Sequence, residues 1–438
     1  MVLFAKPLVT ASGAGRLRWL DALRGLAVLA VVFEHACDYL APELKHATRH
    51  VAHAGIFGVT LFFLVSGYIV PASIERRGDV RRFWIGRLFR LYPAFLAVFA
   101  VAALLSVWRP GMVPRALREH TGTTVLSHLT MLQDMLGGVN VQQQFWTLTY
   151  EMLFYLLVTA AFVVRVHRFS AEIAMVLAAV AVVVGGVLPS GRFAGDPLAL
   201  RNLTVVAAAV LVVGVVAVCR RHVAGAVLLA ALVFGLLAVN QPGGPWEGFV
   251  ILAVMFTGTA LYRAEQGQIA VGRAVLAVGT VLGAAVFAVH RYGGIWDMVG
   301  MTEPLARSSW LSAVVLALIV FGLGMASQRR RVPRWLSWLG TVSYSVYLTH
   351  VLVLRLLGDH LVQARAAGIP ARLGWAAGCL GVTLVVSGLC HRLIELPFQA
   401  LGRRFTDGPK LHELSDMPRP DREFSGPPRS GSAGRSSP

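Results

Sequence analysis

The chain has 438 residues, length enough for roughly two to four soluble domains. Yet 56% of them are hydrophobic and only 14% charged, against ~25% charged residues in soluble domains, which excludes a soluble enzyme and a disordered or fibrous chain. The net charge of +18 is almost all arginine, and in a chain that lives in lipid such charge sits in short loops facing anionic headgroups, so it gives no ground for a nucleic-acid partner.

Residues 1–16 lack a long apolar core before a cleavage site and read as a cytoplasmic segment ahead of a retained first span. A bilayer core of ~30 Å needs about 20 apolar residues per helix. Such windows fall near 20–41, 55–73, 88–108, 146–165, 170–188, 199–218, 223–239, 248–262, 273–290, 308–326, 337–357 and 372–392. The fold class is therefore all-α: a polytopic membrane helix bundle with about 10–12 transmembrane helices across 17–403. With the N-terminus inside, ERRGDVRR (75–82), RVHR (165–168), CRRH (219–222), RAEQ (263–266) and SQRRRVPR (327–334) all fall on the cytoplasmic side of a plasma-membrane protein, and both termini are cytoplasmic. The outer connection 109–145 is long enough for a surface feature, and HLTMLQDMLGG (128–138) is its candidate interfacial helix. Residues 404–438, rich in Pro, Ser, Gly and Arg, read as a disordered cytoplasmic tail. Cys37, Cys219, Cys379 and Cys390 show no C-x-x-C spacing, so no metal site or disulfide framework is expected.

An ionisable group inside a span costs about 2.5–3.5 kcal/mol on insertion scales, so each needs a partner, a cavity or a job. The first span carries Arg24 near its inner end and His35 three turns deeper, with Asp38 one turn beyond His35 on the same face, a spacing suited to a carboxylate that orients an imidazole. The alternative, a histidine bonded only to a backbone carbonyl, stays open on this span alone. Arg87 and Arg90 stand one turn apart in RRFWIGRLFRLYP (81–93), where two guanidiniums can clamp phosphate oxygens or simply anchor the helix at the inner surface. Pro93 reads as lying just inside the start of that helix. In WTLTYEMLFY (146–155), Glu151 sits between Trp146 and Tyr155 with no base nearby in sequence. In SYSVYLTH (343–350), Ser343 with Tyr347, and Tyr347 with His350, share one helix face beside Tyr344, either as site groups or as interhelical hydrogen bonds.

Taken in order, Arg24-x10-His35, FFLVSGY (62–68) with Ser66, Arg87-x-x-Arg90-x-x-Pro93, WTLTYEMLFY, SYSVYLTH and HRLIELPF (391–398) with Glu395 make the chain resemble the family-three membrane acyltransferases over about residues 17–400. That resemblance implies transfer of an acyl group from a cytoplasmic acyl-CoA, such as acetyl-CoA, to a hydroxyl of a sugar, glycan or secondary metabolite, with no metal. It implies His35 as central catalytic residue, Arg24 in support, Arg87 and Arg90 on the donor side, and Glu151 as the family's acidic position. Two features depart from the family: Glu34 stands where an apolar residue is usual, and the spans outnumber the usual count. The chemistry fits, because a neutral imidazole can take the proton of a sugar hydroxyl as it attacks a thioester, and Arg24 or Tyr344 can donate to the developing oxyanion. Helix-face geometry favours Asp38 as the partner of His35 and the family favours Glu151, which makes Glu34 the least consequential of the three carboxylates. The rival reading is a twelve-helix secondary transporter, suggested by the helix count and by ERRGDVRR, but it leaves the histidine and glutamate motifs without a role.

Overall fold

The computed structural model describes residues 18–406 apart from 190, 192–194, 241–243, 245 and 294–302. The expected N-terminal segment lies outside the described residues, as does the tail beyond Thr406; a helix over Leu396–Thr406 runs through the tail's first residues. Among the described residues there is no β-strand. The principal helices are α1 (Arg18–Leu40), α2 (Ala54–Arg77), α3 (Val80–Leu105), α4 (Trp146–Val163), α5 (Ser170–Val184), α6 (Pro197–Cys219), α7 (Val223–Val239), α8 (Glu247–Glu265), α9 (Val271–Tyr292), α10 (Glu303–Ala326), α11 (Arg334–Ala366) and α12 (Ile369–Cys390). Each of the apolar windows falls on one of them. Among the described residues, ten helices are long and apolar enough to cross a membrane. The other two are α1, 23 residues long but carrying Asp21, Arg24, Glu34 and Asp38, and α7, which at 17 residues is shorter.

Local chemistry fixes several boundaries. The imidazole of His53 accepts from Ile56 N–H at the start of α2, and Gly78, at φ +64°, ends it in the left-handed conformation that glycine adopts without penalty. Asp79 then caps α3 by accepting from Arg82 N–H at 3.0 Å. This cap starts α3 at Val80, a full turn and more before the apolar window, so Pro93 lies in the helix interior and not near its start. Beyond α3, the expected interfacial helix is not formed. A helix over Thr121–Thr130 stops at Met131, whose φ is +55°, and the following turns bury Met131, Leu132, Met135 and Leu136 in the main core. The segment's polar side chains turn inward as well, Gln133 donating to Phe145 O and Asp134 accepting from Asn140 Nδ2, which leaves it without the wet face that an interfacial helix needs.

The arginine-rich ends of the helices meet at one end of the bundle: Arg221 donates to Gly78 O, Arg263 to Glu75 and to His167 O, and Arg82 to Thr406 O. We call this the basic end. α1 lies at the centre, packed most extensively against α11 and α2. These contacts depend on small residues, as expected where lipid supplies no hydrophobic drive between helices. A Cβ on Gly340 would overlap the Asp21 carbonyl of α1, and one on Gly67 would overlap the Met255 carbonyl of α8. Gly340→Leu is therefore expected to destabilise by about 1–3 kcal/mol or more, read as a lower unfolding midpoint in detergent. Gly86→Ala, with nothing within 4 Å of the new methyl, should not lower it.

Candidate active site

The sequence motifs converge. A narrow cavity of about 60 Å³ inside the bundle is lined by Arg24 of α1, Ser66 of α2, Arg90 of α3, Glu151 of α4, and Ser343, Tyr344 and Tyr347 of α11, among others. Five helices thus deliver one motif residue or more to a single wall. Arg24, Arg90 and Glu151 thus bring two positive charges and one negative to the same lining. The Tyr155 hydroxyl donates to Glu151 four residues before it, one helical turn away. Trp146 backs the wall, edge-on to Phe63 at 6.4 Å and to Tyr150 at 5.7 Å.

The hydroxyls of α11 divide their work. Tyr347 donates to Gln144 O at 2.9 Å and meets Thr147 Oγ1 at 2.7 Å, while Tyr344 donates to Leu91 O at 2.8 Å. Ser343 donates to Gly340 O in its own helix. Tyr344 and Tyr347 thus make interhelical hydrogen bonds to α3 and α4, and residues without a part in the expected set add two more: Ser345 donates to Glu395, which also meets His391 Nδ1 at 3.1 Å, and Thr349 pairs with Ser387 of α12 at 2.8 Å. Glu395 is buried and closes a π-helical turn over His391–Glu395, so its place is a joint between α11 and α12.

Beside the cavity, behind Tyr347, stands a histidine pair. His350 is fully buried, its ring 5.8 Å from that of Tyr347 and 5.2 Å from that of His35. His350 Nδ1 lies 3.1 Å from Val346 O, and as a donor there it leaves Nε2 as an acceptor. His35 Nδ1 is 3.3 Å from that Nε2 and 3.0 Å from Val31 O. The backbone-carbonyl expectation for His35 is thus met, since Val31 O accepts from the ring, whereas the side chain at Nδ1 is an imidazole from 315 residues away where the spacing of Asp38 suggested a carboxylate. The arrangement makes Nδ1 the protonated nitrogen of His35 and leaves Nε2 as the basic one.

The carboxylates lie elsewhere than helix-face geometry suggests. Asp38 is turned to Lys45 and is 44% exposed. Glu34 is the buried one: its Oε1 accepts from Arg49 Nε and Nη2 at 3.0 and 2.8 Å, with Lys45 Nζ at 3.3 Å and His53 Nε2 at 3.6 Å. Arg49 and Lys45 come from the short helix Pro42–Arg49, which folds back over α1, and no spacing within α1 could announce it. Arg87, paired with Arg90 in the phosphate-clamp expectation, donates to Ser73 Oγ at 3.0 Å and lies over the rings of Phe83 and Tyr155 at 5.1 and 5.2 Å. Only Arg90 of that pair reaches the cavity.

An internal cavity with two arginines, a carboxylate and a tautomer-fixed histidine pair beside it suits general-base chemistry on a hydroxyl. A family model described as "Acyltransferase domain" matches residues 17–392. The chain belongs to that family. It is accordingly a membrane-embedded, acyl-CoA-dependent O-acyltransferase, and the transporter reading is set aside. Among curated relatives, Acyltransferase MdmB of Streptomyces mycarofaciens is 26% identical over 89% of this chain and 93% of that protein. Peptidoglycan O-acetyltransferase OatA of Listeria monocytogenes serovar 1/2a is 27% identical over 32% of this chain and 23% of that protein. O-acetyltransferase OatA of Staphylococcus aureus is 25% identical over 34% of this chain and 25% of that protein. No solved structure matches the acyltransferase.

Proposed function

We propose that this acyltransferase, resident in the plasma membrane with its basic end and both termini cytoplasmic, moves a short acyl group from acyl-CoA to a hydroxyl of a sugar, glycan or glycosylated metabolite. The observation that carries the reading is the convergence of Arg24, Arg90 and Glu151 on one narrow cavity beside the His35–His350 pair. Near-full-length similarity to MdmB supports a whole-chain acyltransferase, and the partial similarity to OatA, named for peptidoglycan in one relative, supports a sugar-bearing acceptor. The excess of arginine at one end supports the orientation.

In this mechanism the acceptor hydroxyl gives its proton to His35 Nε2 as its oxygen attacks the thioester carbonyl. The resulting imidazolium keeps its Nδ1–H on Val31 O and His350 Nε2, so His350 holds the ring's orientation as a carboxylate does in other hydroxyl-activating sites. Arg24 and Arg90 donate to the oxyanion, and Glu151 balances their charge. Collapse forms the ester, breaks the C–S bond, and returns the proton to the departing thiolate.

Arg90→Ala is expected to lower kcat/KM by about 10²–10³, the usual loss for an oxyanion donor, and Arg90→Lys to recover only part because it lacks the planar fork. A normal kcat/KM in Arg90→Ala would remove it from the reacting centre. The acceptor class is read by mass spectrometry of glycans, lipids and secreted metabolites from a deletion strain. The proposal expects a hydroxyl-bearing product that loses one acyl mass and regains it on complementation. An unchanged profile across all three fractions would count against it.

A further inference from the structure

The basic end carries a cleft that no role described above uses. It has a volume of about 710 Å³ and is bordered by Val80 at the start of α3, Phe162 at the end of α4, and Arg165, His167, Arg168 and Arg221. A neighbouring cleft shares Phe162, His167 and Arg168 with it. None of Arg165, Arg168 or Arg221 makes an ion pair among the described residues; Arg221 donates to the backbone carbonyl of Gly78, and Glu75 at the neighbouring cleft is engaged by Arg263. Three arginines border an opening whose own lining holds no carboxylate, the nearby Glu75 beside Arg168 being paired with Arg263, and such an opening is a site for phosphate oxygens. Arg165 and Arg221 also hold φ of +63° and +61°, and with Met131 they are the non-glycine residues of positive φ among those described. Such strain persists where surrounding structure enforces it, and here it sets two guanidinium-bearing residues at the rim of one opening.

Position decides which phosphate. α3 runs from Val80 at the cleft to Arg90 at the inner cavity, ten residues or about 15 Å along a helix, and α4 runs from Phe162 back to Glu151, eleven residues or about 16 Å. An extended pantetheine arm spans that distance. We propose that Arg165, Arg168 and Arg221 bind the phosphates of the coenzyme A nucleotide at the basic end, while its thioester reaches Arg24 and Arg90. This rests on the acyl-CoA reading of the inner cavity and reassigns the phosphate contact away from Arg87 and Arg90, whose guanidiniums lie in the bundle.

The test uses the purified full chain in phosphatidylcholine nanodiscs, with acetyl-CoA and acetyl-pantetheine, which lacks the nucleotide, as alternative donors. Arg168→Gln and Arg221→Gln should each raise the acetyl-CoA KM about tenfold, the loss of one charge-assisted contact, with kcat and the acetyl-pantetheine KM unchanged. Arg168→Lys should recover part of the loss. An unchanged acetyl-CoA KM, or an equal rise for both donors, overturns the assignment. A defect seen only in nanodiscs containing phosphatidylglycerol overturns it too, in favour of a lipid headgroup in the cleft. Calorimetric titration with free coenzyme A separates the two levels of the claim. Binding that weakens in the arginine variants without any turnover by wild type sustains the cleft and removes the transferase reading, whereas no binding to wild type removes the cleft.

Discussion

His35→Ala should lower kcat by about 10²–10⁴, the range that a positioned general base contributes, while the protein still inserts and packs. The ring is only partly buried and bonds to a carbonyl of its own helix, so its loss removes the base together with the hydrogen bond to His350 Nε2 and leaves the surrounding helices in place. In the proposed mechanism His350 acts through His35, as a positioning residue. His350→Gln, with an amide oxygen that can still accept from His35 Nδ1, should therefore keep more activity than His350→Ala. The two are compared by kcat at equal amounts of folded protein. A larger defect in His350→Ala than in His35→Ala would reverse the roles assigned to the pair.

The largest effect on stability is expected at Glu34. Its carboxylate is 3% exposed and is met by Arg49, Lys45 and His53. Glu34→Leu takes the Glu34 carboxylate away from the buried Arg49 guanidinium, while Lys45 keeps Asp38, and breaking a buried pair in this way costs about 3–5 kcal/mol. Replacing both partners, as in Glu34→Leu with Arg49→Met, should restore much of that loss, because the desolvation penalty of the remaining guanidinium disappears with it. The unfolding midpoint of detergent-solubilised protein reports both. A single variant with a wild-type midpoint, or a double variant no better than the single, would contradict the account of this cluster.

The comparison of Glu34 with Asp38 shows what the sequence can and cannot convey. Twelve apolar windows found their helices because lipid forces every backbone group into intrahelical bonds, and hydropathy reads that demand directly. Which face of an apolar helix meets which neighbour is a different question, since periodicity fades when every position is apolar. Asp38 shares a face with His35 on a helical wheel, yet Lys45 from the following helix claims it. His350 meets His35 across 315 residues of chain, a pairing that only the packing of α1 on α11 creates. The convergence of Arg24, Ser66, Arg90, Glu151 and Tyr347 was legible only as an ordered set of motifs, because no one of them signals a cavity by itself. Pro93 illustrates a smaller failure: the helix start was read from the onset of hydrophobicity, while the capping carboxylate of Asp79 set it more than ten residues earlier than the proline.

The central claim is that this chain transfers an acyl group from a thioester donor with His35 as base. Its most direct measurement is release of free coenzyme A thiol by purified protein in nanodiscs, supplied with acetyl-CoA and a cell extract fractionated for hydroxyl-bearing acceptors. Wild type should release thiol in step with acceptor-borne acyl label, and His35→Ala, folded and inserted to the same extent, should release almost none. Thiol release by His35→Ala at the wild-type rate would contradict the account, as would wild-type protein that moves no acyl group from acetyl-CoA to any fraction.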